Sequence, residues 1–186
     1  MPSLANSDFI SLKSGIIYIE DINKTIKTIT LIASERNAFA QLCSLKPICG
    51  KEQALTAFEH ARSAISNGTA FAKSIELEFL LRLAGTKKID NALKILGLRN
   101  GKQEALLVVS AENENALKET EKEIKRAIKF EENEALLNTN LRRNFNEIKK
   151  IYCITDSELK ALSDMPKEKA LEGAAIERIA LVALED

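Results

Sequence analysis

Few residues of this chain have the types and spacing that chemistry needs, and those that do are mostly basic. Gly85-Thr86-Lys87-Lys88 stands at what reads as the start of a helix. Unpaired backbone N–H groups already make a helix N-terminus positive, so each ammonium group in that first turn costs up to about 1 kcal/mol unless an anion sits nearby. Two lysines on such a terminus form a small phosphate-binding site; the alternative is a solvated surface pair. Acid–base catalysis has less to use. The single histidine, His60, follows Glu59, while Glu76 and Glu78 stand two apart on a helix and point to different sides. There is no glycine-rich phosphate loop, and Cys43, Cys49 and Cys153 follow no zinc-ligand spacing. No metal or cofactor is expected.

The charge balance points the same way. Lys and Arg number 27 and Asp and Glu 27, so the net charge is zero and no overall field draws the protein to nucleic acid or membrane. Any RNA contact must be local. An odd cysteine count suits a reducing, intracellular setting with structural thiols. Residues Met1 to Lys13 carry no basic-then-apolar signal, and no apolar run reaches the roughly 18 residues of a membrane span. A soluble, cytoplasmic protein is expected. Its 186 residues suit one domain, 1–186, large enough to bury a core without staples.

The elements that must position these residues form a helix-rich α/β (α+β) chain with a small, mostly antiparallel or mixed sheet. Asp8–Leu12 and Ile16–Ile19 read as paired strands around a turn at Lys13-Ser14-Gly15. Asn23–Ala33 reads as a helix despite its β-branched content. Ala38–Leu42 and Ala105–Ser110 read as strands. Helical stripes follow at Ala54, Leu55, Phe58, Ala61 and Ile65; at Leu117, Ile124, Ala127 and Ile128; and at Leu137, Leu141, Phe145, Ile148 and Tyr152. Thr155 and Glu158 have capping-box spacing, and a last helix is expected over Lys167–Leu184.

Between Phe71 and Leu93, Ser74 reads as an N-cap followed by Glu76 and Glu78 in the first turns. The body, Ile75 to Ala84, is apolar nearly all round, which predicts a buried helix. Arg82 follows Glu78 by four residues, the favourable order for an ion pair. Gly85 suits the left-handed C′ position, and Thr86 is placed to cap the next helix, with Lys87 and Lys88 in its first turn and a stripe of Ile89, Ala92, Leu93 and Leu96 before the closing Gly97.

These pieces, in this order, resemble a known family. Ala57-x-x-His60-Ala61, then Ala72-Lys73 leading into the apolar helix, then Gly85, the Ile89 helix ending at Gly97, and finally Glu177-Arg178-Ile179-Ala180-Leu181 are similar to the KEOPS-complex subunits that bind the PRPK-type kinase, in particular the archaeal-type members of that TPRKB-like family. The resemblance implies a non-catalytic accessory protein. Its direct partner would be the KEOPS kinase/ATPase subunit, its indirect partners the other KEOPS subunits, and its RNA partner the 3′ CCA end of the tRNA that receives threonylcarbamoyladenosine.

Two surfaces would carry those roles. Residues 179–184 read IALVAL with no polar side, so Ile176, Ile179, Ala180, Ala183 and Leu184 are candidates for the kinase interface, unless that helix is buried within its own domain. For the tRNA end the candidates are Lys87, Lys88, Lys73, Arg62 and His60. Arg142-Arg143 and Lys149-Lys150 either extend a phosphate track or form the wet side of their helix. With no tryptophan and two tyrosines, aromatic platforms are scarce, which predicts weak, salt-sensitive RNA binding. The rival readings are a self-associating structural protein using the same C-terminal patch, and a small acid–base enzyme.

Overall fold

A computed structural model describes residues 9–162 and 164–182. In chain order the elements are β1 (Phe9–Ile19), α1 (Ile22–Glu35), β2 (Phe39–Ser44), α2 (Lys51–Ser66), α3 (Ile75–Leu83), α4 (Ile89–Leu96), β3 (Gly101–Ala111), α5 (Glu114–Ala127), β4 (Glu131–Glu132), α6 (Glu134–Ile151), α7 (Asp156–Ala161) and α8 (Lys167–Leu181). The fold is α+β and rich in helix, and every strand pairing among the described residues is antiparallel. The chain builds two compact units. One takes residues up to Leu45 with Leu98–Leu136, the other Lys46–Gly97 with the residues from Leu137 onward.

The first unit is a sheet with strand order β2-β3-β1-β4, covered on one face by α1 and α5. β1 pairs with β3 along its whole length, from Phe9 opposite Ala111 to Ile19 opposite Gly101. The expected turn at Lys13-Ser14-Gly15 is therefore absent, and the two short strands are one; Asp8 lies outside the described residues. Gly15 serves close approach instead. A Cβ there would stand 2.6 Å from the Phe130 ring and collide with the Glu131 carbonyl, so glycine is what lets β4 close on β1. Ser14 fastens the same place, its hydroxyl donating to the Asn133 carbonyl at 2.8 Å while its own carbonyl accepts the Asn133 N–H at 2.8 Å.

α1 is helical as expected because its hydroxyls and cap agree with its pattern. Asp21 accepts the Lys24 N–H at 3.0 Å, and the Thr25 and Thr28 hydroxyls donate to the carbonyls one turn back, at 2.9 Å each. Ile29 and Ile32 of α1 and Leu117 and Ile124 of α5 meet Ile17, Ile19, Leu42, Leu107 and Val109 of the sheet. Ala127, expected on the α5 stripe, faces solvent. Lys125 bridges Glu121 at 2.6 Å and Glu132 at 2.7 Å, and Lys13 meets Glu132 at 2.8 Å, which ties α5, β4 and β1 together.

The second unit is helical. α3 packs on α2, α4 and α8, burying Ile75, Phe79, Leu80, Leu81 and Leu83. α2 turns Ala54, Ala57, Phe58, Ala61 and Ala64 inward, a small-residue face that admits a close neighbour. Ile65, expected on that stripe, is exposed. α8 likewise buries Ala170, Leu171, Ala174 and Ala175. Its Glu172 carboxylate lies where a Cβ on Gly50 would be, at the start of α2, and so complements the positive end of that helix. The asparagines of α6 act as fasteners. Asn140 donates to the Lys46 carbonyl at 3.2 Å and the Ile48 carbonyl at 2.7 Å, and Asn144, at a kink in α6, donates to Asn140 Oδ1 at 2.8 Å.

α7 opens with the expected capping box. The Thr155 N–H donates to Glu158 Oε2 at 2.7 Å, and the Glu158 N–H donates to Thr155 Oγ1 at 3.2 Å. Glu158 also pairs with Arg178 of α8. The Thr155 N–H and then the Arg178 guanidinium pull the Glu158 carboxyl from 4.5 to about 2. A carboxyl depressed in the folded state stabilises the fold above its unfolded pKa and loses that contribution as pH falls through its folded one. Glu158→Gln should therefore lower the melting temperature at pH 7, with the gap to wild type narrowing below pH 4.5 and closing near pH 2 in thermal unfolding across that range.

Candidate functional site

The turn from α3 into α4 brings together the residues with chemistry to offer. α3 ends in a Schellman motif, in which the Gly85 N–H donates to the Arg82 carbonyl at 2.9 Å and the Thr86 N–H to the Leu81 carbonyl at 3.0 Å. Gly85 adopts the left-handed conformation expected of it, with φ +62°, and its Cα faces the Cβ of Arg178 on α8. The Tyr152 hydroxyl donates to the Leu83 carbonyl at 3.0 Å, and the Tyr152 carbonyl accepts from Arg178 Nε at 3.2 Å, so the end of α3 is also held through Tyr152. Thr86 does not cap α4. Its hydroxyl accepts the Lys88 N–H at 3.2 Å, and Lys88 is itself the N-cap, without a side-chain cap bond. Lys87 and Lys88 thus precede α4 instead of lying in its first turn, which holds Asp90.

The segment before α3 folds back onto that turn. Ser74 caps α3 as expected, accepting the Leu77 N–H at 3.3 Å. Glu78 has no exposed surface, and its Oε1 accepts from Arg82 Nε at 2.8 Å. Its Oε2 accepts the N–H groups of Phe71 and Ala72, at 2.8 and 2.9 Å. The ion pair read from the spacing is therefore a buried latch on the 69–74 segment. Phe71 is 37% exposed, with the Arg82 guanidinium 4.4 Å and the Lys87 ammonium 5.1 Å from its ring centroid. A surface cation–ring contact contributes about 0.5–1 kcal/mol. The sequence reading missed Phe71 as a site residue, although it is the sole aromatic side chain in the polar stretch between α2 and α3.

The other tRNA candidates are placed as follows. Lys88 and Lys73 are exposed, Lys73 two residues beyond Phe71. Arg62 pairs with Glu59 one turn away on α2 at 2.6 Å, and His60 is half-buried on the same helix. Arg142 is exposed and stands 4.0 Å from Glu168, while Lys149 pairs with Asp156 at 2.5 Å. Of the candidate carboxylates, Glu59 faces Arg62, and Glu78 is engaged by Arg82 and the two amides. Burial pushes the Cys43 thiol up to about 12 and raises Cys49 likewise, so both are poor nucleophiles. Among the described residues no cluster of His, Cys, Asp and Glu could hold a metal, and no helix is long and apolar enough to cross a membrane.

The kinase candidates divide. Ile179 has no exposed surface, so it is a core residue of its own unit and not part of an interface. The reason is local: α8 packs along α2, α3 and α7, and that stripe faces inward. Ile176 is half-buried, Ala180 is exposed, and Leu181, one position further, is 44% exposed. Ala183 and Leu184 lie outside the described residues.

A family model described as "Kinase binding protein CGI-121" matches residues 19–183. The chain is also similar to the KEOPS complex subunit Cgi121 of Pyrococcus abyssi (strain GE5 / Orsay), with 37% identity over 92 residues. That alignment covers 50% of this chain and 52% of the relative, so the chain spans about half the length of the curated relative it matches.

The latch makes a specific prediction. Glu78→Gln leaves Arg82 charged and buried, which should destabilise the protein by about 3–5 kcal/mol in denaturant unfolding. Glu78→Gln with Arg82→Leu should recover much of that loss. In hydrogen exchange, however, the Phe71 and Ala72 amides should be less protected in both variants.

Proposed function

The chain belongs to the CGI-121 kinase-binding protein family, and on that footing we propose that it is a non-catalytic subunit of a KEOPS complex. In this reading it binds the kinase/ATPase subunit directly and meets the other subunits through it. It recruits tRNA by the 3′ CCA end for threonylcarbamoyladenosine modification, and does so in the cytoplasm with residues 1–186 acting as one functional domain. The observation that carries the reading is the family match, which runs through segments of both units.

The kinase is assigned to the outer side of α8, around Ala180 and Leu181, where apolar surface stays exposed after the inner side is packed. The tRNA end is assigned to the turn at Lys87 and Lys88, with Lys73 beside Phe71 and with Arg62 and His60 as outlying contacts. An unpaired RNA end suits a protein of zero net charge, because a few phosphates and splayed bases need only a small cationic and apolar patch.

Gel filtration of the protein with the kinase and then with tRNA tests both halves. Leu181→Asp should weaken kinase binding by at least about 10-fold with an unchanged melting temperature. Ile179→Asp should instead unfold the protein, since it buries an unpaired charge. Unchanged kinase binding by Leu181→Asp removes this placement, and a stable dimer indifferent to the kinase favours self-association. For RNA, Lys87→Glu with Lys88→Glu should weaken binding of intact tRNA, and removal of the CCA end should weaken binding by the wild type. Equal affinity for trimmed and intact tRNA rejects the CCA reading.

A further inference from the structure

Lysines at the α3–α4 turn account for phosphates but leave the bases of an RNA end without a surface. We propose that the Phe71 ring is a stacking platform for an unpaired nucleobase, and that Lys87 passes from the ring to the adjoining phosphate when the RNA end arrives. The proposal rests on the RNA reading of this site and adds to it a residue and an order of events.

The ring is both exposed and held. It keeps 37% of its surface open, yet its backbone N–H and that of Ala72 are bonded to the buried Glu78 carboxylate. Arg82, 4% exposed and fixed by the same carboxylate, lies 4.4 Å from the ring centroid. A rigid aromatic ring loses little freedom when a base stacks on it, which is what a platform requires.

The two cations differ in kind. Arg82 is buried and structural, whereas Lys87 reaches the ring at 5.1 Å on a flexible stem. A stacked base contributes more than such a surface cation–ring contact. The ammonium then takes a phosphate as partner. Lys73 and Lys88 flank the pair in sequence and suit the phosphates that follow. On α3 and α4 the carboxylates are Glu78, already engaged, with Glu76 in the first turn of α3 and Asp90 in the first turn of α4. An unpaired nucleotide presents a flat base to the ring and a phosphate to the cations together, and that combination favours RNA.

The test uses the full chain with tRNA and with two single-stranded oligoribonucleotides, one ending in CCA and one abasic at its last two positions. Phe71→Trp introduces the only indole in the sequence. Its fluorescence should be quenched by the CCA strand and not by the abasic one. Phe71→Leu should weaken binding roughly 5- to 100-fold with the salt dependence unchanged. Lys87→Gln should weaken binding and lower the salt slope by about one. Wild-type affinity in Phe71→Leu, with Lys87→Gln still impaired, overturns the platform while leaving the RNA reading standing. Wild type that binds no RNA overturns both. Loss of kinase binding alone in Phe71→Leu assigns the ring to the protein partner and overturns the proposal.

Discussion

The carboxylate of Glu78 is the constraint on which the candidate site depends. It sits inside a helix that is otherwise apolar on nearly every side, where an unpaired charge would be prohibitive. Arg82 supplies the countercharge, and the Phe71 and Ala72 amides occupy the other oxygen. A buried ion pair of this kind adds little net stability over well-packed apolar side chains. What it does add is position. The segment before α3 has almost no core of its own, yet its backbone is tied down at Phe71 and Ala72, because releasing their amides would leave a buried carboxylate oxygen without those donors. The exposed ring of Phe71 and its contact with Lys87 follow from that single bond set.

What could be read from the sequence is what depends on neighbours a few residues away. The Ser74 cap, the Glu78–Arg82 pair, the left-handed Gly85 and the Thr155–Glu158 box were all visible as spacings, since each is closed within one or two turns. Gly15 was misread because its reason lies far along the chain, in Phe130 and Glu131. A glycine between two apolar stretches carries the same letter whether it turns a chain or admits a neighbour. The asparagines of α6 had no pattern to match for the same reason: Asn140 answers to the carbonyls of Lys46 and Ile48, not to its own helix.

At the end of the chain, composition was legible and direction was not. Six apolar residues in a row fix neither which side of a helix is buried nor how much remains for a partner. α8 resolves this by turning Ile179 and Val182 inward and leaving Ala180 and Leu181 out. One exposed leucine is far short of the roughly 1,000 Å² that a specific protein interface buries. A partner docked on α8 must therefore cover more than α8, and among the described residues this unit also exposes Ile65 of α2 and Ile89 and Leu93 of α4.

A chain of zero net charge has to make cationic sites by placement, since it has no long-range field to lend. Several of its cations face carboxylates, as Arg62 does Glu59, Lys46 does Glu147 and Lys149 does Asp156. At the α3–α4 turn Glu78 is drawn into the core and spends its charge on the fold, and the Lys87 ammonium lies over the Phe71 ring. The same acidic residue thus fixes the backbone that carries the Phe71 ring and keeps its own negative charge off the surface. An aromatic ring beside a cation differs from a lysine cluster in that a flat apolar face and a charged group are met by different side chains, and neither must compete for the other.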